Sequence, residues 1–256
     1  MSRLFGLITK KEVDVSFILL KEGFGKGELP IKMKDGFGMG WYEEGIVRIT
    51  RLPLPFGSRE NDFWEMAETI HSRIVIFHIR ESTVGDARIY NTHPFTFKNF
   101  MFAHMGTIEN WEKIEALLED EYRKSLKGET DSERFFMLLM QNWKDNSPAE
   151  SVKKTVDEIE KVTDYTSLNF ILTDGKKLYA FKKGRFPLFF LKRKPENDIC
   201  CTSVSSHIAI RSSGLKGQEA VIVSAEQLSH EPWTELKDGE FLIVDQNLNQ
   251  TVLNVK

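Results

Sequence analysis

Apolar and polar positions along the chain fall into three stretches with different periods. Up to about residue 100, short apolar runs of strand length, Leu4 to Ile8 and Ser16 to Leu20, stand between glycine-rich turns. Gly23, Gly25 and Gly27, then Gly36, Gly38 and Gly40, punctuate loops ahead of Trp41-Tyr42 and the strand pattern Ile46 to Ile49. Phe63 to Ser72 is apolar at 63, 64, 66, 67 and 70, which predicts a helix, and Ile74 to Ile79 predicts a β-branched strand. A second strand, Phe100 to His104, breaks at Met105-Gly106 and gives way to a helical stripe through Ile114, Leu117 and Leu118. Thr130 with Glu133 fits a capping box, followed by the apolar face Phe135, Phe136, Leu138 and Leu139, and residues 150–162 predict a further helix rich in Lys and Glu. From Leu168 onward the strand period returns. Asn169 to Thr173 and Lys177 to Phe181 flank the hairpin turn Asp174-Gly175, and Leu188 to Leu191, Ile199 to Val204, Ala220 to Val223 and Phe241 to Asp245 follow.

Strands, then a block of helices, then strands again predict an α+β fold with antiparallel sheets rather than alternating βαβ units. No repeat, low-complexity tract or linker divides the 256 residues, so a single domain over 1–256 is expected, long enough to bury a core without disulfides or metals. Lys plus Arg number 35 against 38 Asp plus Glu, a net charge of −3, which lacks the basic footprint of a nucleic-acid binder.

Cys200 and Cys201 are neighbours and the only cysteines, and adjacent residues bridge only with strain, so free thiols are expected. The opening segment has its apolar patch before Lys10 and Lys11, the reverse of a signal peptide, and no run is long enough to span a bilayer. A soluble, cytoplasmic protein with no membrane partner is the reading.

Two candidate motifs are set aside on chemistry. Gly36-Phe37-Gly38-Met39-Gly40 is followed by a strand pattern, whereas a phosphate loop needs a helix N-terminus there; a tight turn near a binding site fits better. His78, His93 and His104 fall near strand ends without helical ligand spacing or cysteine, so structural histidines are preferred to a metal site, and no cofactor is expected. Ser2 is more informative. Removal of Met1 before a small residue would make Ser2 an N-terminal nucleophile whose own α-amine, with a reference pKa near about 7.7–8.0, serves as the base.

The surrounding blocks resemble the stand-alone class II glutamine amidotransferases. Met1-Ser2-Arg3-Leu4-Phe5-Gly6 is similar to that family's opening, and Asp35-Gly36-Phe37-Gly38-Met39-Gly40-Trp41-Tyr42 to its Asp-Gly-aromatic-Gly stretch. His78-Ile79-Arg80-Glu81-Ser82-Thr83-Val84-Gly85 resembles its glutamine-carboxylate loop. Asn91-Thr92-His93-Pro94-Phe95, Phe102-Ala103-His104-Met105-Gly106-Thr107-Ile108 and Gly128-Glu129-Thr130-Asp131-Ser132-Glu133 follow in order. Glu231 to Leu236, before Phe241 to Asp245, is similar to the tail of the single-domain members.

The resemblance implies the N-terminal nucleophile hydrolase fold, a four-layer αββα sandwich of two antiparallel sheets. It implies attack by Ser2 on the side-chain amide of glutamine, a clamp from Arg80 on the substrate carboxylate, lining by Thr83 and Val84, and pairing of Asp131 with the substrate ammonium. Two departures are visible. Ser2 stands where the family has cysteine, and Met105 stands at the oxyanion-hole asparagine, so that only the Gly106 amide remains as a donor. Losing one such donor typically costs about 10²–10³ in rate. Three readings stay open: a hydrolase of altered or weak activity on glutamine or a γ-glutamyl compound, an inactive relative that binds such a ligand as a sensor or partner subunit, and a purely structural relative with no ligand, against which the retained Arg80 and Asp131 speak. A true amidotransferase would need a separate synthase subunit.

Overall fold

Alternation along the first strand sets the architecture. β1 (Arg3–Asp14) sends Leu4 and Ile8 into one apolar cluster and Phe5 and Leu7 into another. A strand buried on both faces must be covered on both, which places β1 inside a layered structure. The computed structural model describes residues 2–14, 16–18, 35–53, 69–80, 85–195, 201–202, 209–211, 215 and 217–255.

The strands continue with β2 (Ser16–Ile18), β3 (Phe37–Glu43), β4 (Ile46–Leu52), β5 (His71–Ile79), β6 (Phe95–Phe97), β7 (Phe100–Met105), β8 (Asn169–Thr173) and β9 (Leu178–Lys182). They end with β10 (Phe189–Arg193), β11 (Cys201–Thr202), β12 (Ala209–Arg211), β13 (Ala220–Ser224), β14 (Thr234–Glu235), β15 (Glu240–Val244) and β16 (Gln250–Asn254). Between β7 and β8 lie α1 (Glu112–Leu117), α2 (Asp120–Arg123), α3 (Asp131–Trp143) and α4 (Pro148–Val162).

The strands form a seven-stranded sheet in the order β14-β10-β13-β1-β5-β3-β4 and a six-stranded sheet in the order β16-β15-β9-β8-β7-β6, with a small sheet β11-β12-β2 beside them. Neighbours pair antiparallel throughout both large sheets. The two sheets face each other across a core of Leu4, Ile8, Ile74, Ile76, Met101, Ala103, Met105 and Ile171. They approach closely at Gly6, where a Cβ would come within 3.0 Å of the Ile171 side chain. On the other face of the six-stranded sheet, Phe102, Phe170, Phe181 and Phe241 pack against α3 and α4 through Phe135, Phe136, Leu139, Val152 and Ile159.

Several expectations need revision. The glycine run is not a turn: Gly38 and Gly40 lie within β3, and only Gly36, at φ +116°, has glycine-type backbone. A Cβ on Gly38 would overlap the His93 carbonyl, and one on Gly40 would meet the Met101 sulfur at 2.5 Å, so close packing dictates both. The helix expected over Phe63 to Ser72 lies mostly outside the described residues, and His71 and Ser72 begin β5 instead. Thr130 does cap α3, accepting from the Glu133 amide at 3.2 Å, but the Glu133 carboxylate takes the amides of Lys127 and Gly128 at 2.9 and 2.8 Å rather than reaching back to Thr130. The complete capping box belongs to α4, between Ser147 and Glu150.

Candidate active site

Ser2 and Arg80 are brought together by strand register. Arg3 pairs with Ile79 in the β1–β5 ladder, so one further step sets Ser2 opposite Arg80. The β3–β5 ladder also continues past its last pair, Phe37 with Ile79, because the Arg80 amide donates to the Gly36 carbonyl at 2.8 Å. Leu4 and Ile8 on β1, and Ile74 and Ile76 on β5, face the core between the sheets, and the two-residue period puts Ser2 and Arg80 at the end of that same layer. Ser2 is half-buried and Arg80 buried.

The Arg80 guanidinium is oriented by the turn after β5. Nη1 donates to the Asp86 carbonyl at 3.0 Å and Nη2 to the Gly85 carbonyl at 2.8 Å. Burial pulls its pKa below the ordinary value, and the carboxylates of Asp35, Asp131 and Asp86 act in the opposite direction. An arginine starts high enough to stay charged through such a shift.

Asp131 is the first residue of α3, where the helix dipole favours a carboxylate. It is buried, its Oδ2 accepts the Ile108 amide at 2.8 Å, and the Ser132 hydroxyl lies 3.4 Å from its Oδ1. The same hydroxyl lies 2.9 Å from His104 Nδ1, and His104 Nε2 lies 3.0 Å from the Ser167 carbonyl. A carbonyl only accepts, so Nε2 carries the proton and Nδ1 accepts from Ser132. Burial lowers the His104 pKa, opposed by Asp131 and by the Ser167 hydrogen bond.

His104 is followed by the two residues of the expected oxyanion hole. Met105 is buried in the core between the sheets, in the same apolar cluster as Leu4 and Ile76. Gly106 lies so close to Ser167 that a Cβ would overlap the Ser167 carbonyl oxygen. The structure therefore sets Ser2 opposite Arg80 and brings the Asp131 charge to Arg80, with Met105 at the end of β7 and Gly106 two residues before the Ile108 amide that Asp131 holds, while Thr83 and Val84 lie outside the described residues.

His78 and His93 pack against each other within reach of the Arg80 charge. Their ring centroids are 4.2 Å apart, and both rings are buried. Burial above all, with the charges of His104 and Arg80 adding to it and the nearby His104 backbone opposing it, takes the His78 pKa down to about 3. His93 is pushed well below its ordinary value for the same leading reason. Among the described residues, no group of three His, Cys, Asp or Glu side chains is arranged to hold a metal ion, and no helix is long and apolar enough to cross a membrane.

Asp35, Asn91 and Ser132 also meet the site, through the Arg80 charge, the Asp86 and Glu129 backbone, and His104 respectively. Each stands inside a block quoted above, but only the fold shows their contacts with the site.

A profile of the family described as class-II glutamine amidotransferases matches residues 1–254. An uncharacterised protein of Methanocaldococcus jannaschii is 29% identical over 254 residues, covering 95% of this chain and 69% of that relative. Among solved structures, a Pseudomonas aeruginosa protein provisionally named a glutamine amidotransferase superposes with a TM-score of 0.67 at 24% identity, covering 98% of this chain and 99% of that one. The glutamine phosphoribosylpyrophosphate amidotransferase of B. subtilis superposes with a TM-score of 0.65 at 13% identity, over 99% of this chain and 49% of that chain. At such identities the superpositions establish the fold: two facing antiparallel sheets, the sandwich of the N-terminal nucleophile hydrolases.

Proposed function

The chain belongs to the class II glutamine amidotransferases, and from that premise we propose that it binds glutamine or a γ-glutamyl amide between Arg80 and Asp131 and presents the bound amide to Ser2. One observation carries the reading: the β1–β5 register sets Ser2 opposite Arg80 at the layer end where the Arg80 and Asp131 charges act on each other.

The Arg80 guanidinium suits a carboxylate because it is planar, permanently charged and able to donate two parallel hydrogen bonds. Asp131 supplies the opposite charge for the substrate ammonium. With Met1 removed, the free α-amine of Ser2 takes the proton from its own hydroxyl as Oγ attacks the amide carbonyl. The Gly106 amide donates to the oxyanion, ammonia leaves, and water releases glutamate from the resulting ester. The ammonia released in this way would feed a synthase.

The burial of Met105 in the core between the sheets favours a second reading. A thioether donates nothing to an oxyanion, so the chemical step is weakened while the charge clamps remain. In that case the chain is a glutamine-binding sensor or partner subunit. Glutamine binding measured by calorimetry, alongside ammonia release, separates the two. Both readings require binding that is lost in Arg80→Ala, and only the hydrolase requires ammonia release that is lost in Ser2→Ala.

A further inference from the structure

We infer that Asn91 is a positioning residue that locks the carboxylate clamp and the ammonium clamp into one unit. The inference rests on the reading of Arg80 and Asp131 as those clamps. Asn91 is 1% exposed and closes the short 3₁₀ turn Ile89–Asn91. Its Nδ2 donates to the Asp86 carbonyl at 3.1 Å, the same oxygen that receives Arg80 Nη1 at 3.0 Å. Its Oδ1 accepts the Glu129 amide at 2.8 Å, two residues before Asp131. One side-chain amide thus holds the turn that orients Arg80 and the loop that delivers Asp131.

The backbone on either side is built to let this amide in. A Cβ on Gly128 would sit 2.5 Å from Asn91 Oδ1, and one on Gly85 would sit 2.9 Å from Asn91 Nδ2. Gly85 also has φ +74°, which disfavours any other residue. The carboxylate-loop block, the Asn-Thr-His-Pro-Phe block and the Gly-Glu-Thr-Asp block therefore meet at a single side chain. The far side of the second loop is held separately, since Glu133 takes the Lys127 and Gly128 amides and Arg134 donates to the Gly128 carbonyl at 2.6 Å. Asn91 hydrogen-bonds to both loops from the buried side, while on the exposed side Arg88 pairs with the Asp86 carboxylate at 3.3 Å and the Glu129 carboxylate at 4.0 Å.

Asn91→Ala removes both bonds. Asn91→Asp keeps an acceptor for the Glu129 amide and loses the donor to Asp86, so it releases the carboxylate side alone. The test measures affinity by calorimetry for L-glutamine, for γ-aminobutyramide, which lacks the carboxylate, and for glutaramate, which lacks the ammonium. Asn91→Ala is expected to weaken glutamine about ten-fold or more and to shrink the preference for glutamine over both analogues. Asn91→Asp is expected to shrink the preference over γ-aminobutyramide only, and it carries the comparison if Asn91→Ala does not fold.

A uniform loss for all three ligands, or wild-type preferences in both variants, would overturn the inference. If the wild-type protein binds none of the three, the functional reading falls, and nuclear magnetic resonance of the ligand-free protein decides the role of Asn91. Arg80 guanidinium signals that are ordered in the wild type and lost in Asn91→Asp would support it, and equally ordered signals in both would overturn it.

Discussion

Asp131 Oδ2 accepts the Ile108 amide at 2.8 Å, so the carboxylate proposed to meet the substrate ammonium also fixes the chain just beyond Gly106. The two duties separate by substitution. Asp131→Asn keeps an acceptor for the Ile108 amide and removes the charge, so glutamine affinity should fall while the melting temperature changes little. Asp131→Ala leaves that buried amide unpaired, which costs a further about 1–3 kcal/mol of stability. Calorimetric binding with thermal unfolding of both variants checks the split.

Arg80→Lys keeps the positive charge and loses the planar fork. The Gly85 and Asp86 carbonyls lose their paired donors, and a substrate carboxylate loses a bidentate partner. Hydrogen bonds to charged groups are worth about 1.5–3 kcal/mol, so glutamine affinity should fall by about ten-fold to a hundred-fold. Equal affinities for wild type and Arg80→Lys would exclude a carboxylate clamp at this position.

The chemical step should be repairable. Ser2→Cys supplies a stronger nucleophile, and Met105→Asn supplies the missing donor, worth about 10²–10³ in rate. The double variant should release ammonia from glutamine faster than the wild type. Met105→Asn alone should lower the melting temperature, because it places an amide in the apolar layer with Leu4 and Ile76. A stable double variant with no gain would mean that the pocket does not hold the glutamine amide near Gly106.

The buried His78–His93 pair sets an acid limit on stability. The His78 pKa lies at about 3 in the folded protein against an ordinary value of 6.5. Between those values the unfolded chain binds a proton that the folded chain refuses, so stability is full above the upper value and is lost as pH falls below it. At about pH 5 His78 alone should cost about 2 kcal/mol, and His93 adds in the same direction. Urea unfolding from about pH 8 down to about pH 5 should show the decline, and a flat profile would contradict the burial of neutral rings.

Much of this arrangement can be read from the order of the sequence blocks. The apolar periods of β5, β7, β8, α3 and α4 declare themselves, because each buries a regular face. The glycine run misleads for a physical reason: Gly38 and Gly40 have no side chains to show a strand period, and what demands them is the close approach of His93, Pro94 and Met101. β16 gives little apolar signal because it is an edge strand with most of its residues exposed. Arg80, Asp131 and Gly106 can be named by resemblance. Nothing in local spacing shows that Asn91 touches Asp86 and Glu129, since the second contact spans 38 positions.

In the proposed reaction Ser2 is a nucleophile opposite a working Arg80 clamp. The intact mass of the natively expressed protein, after incubation with an electrophilic glutamine analogue, decides whether that pairing is live. Loss of Met1 and a single adduct mapped to Ser2, absent in Arg80→Ala, is the expected result. A chain that keeps Met1, or that stays unmodified at saturating analogue, would contradict it.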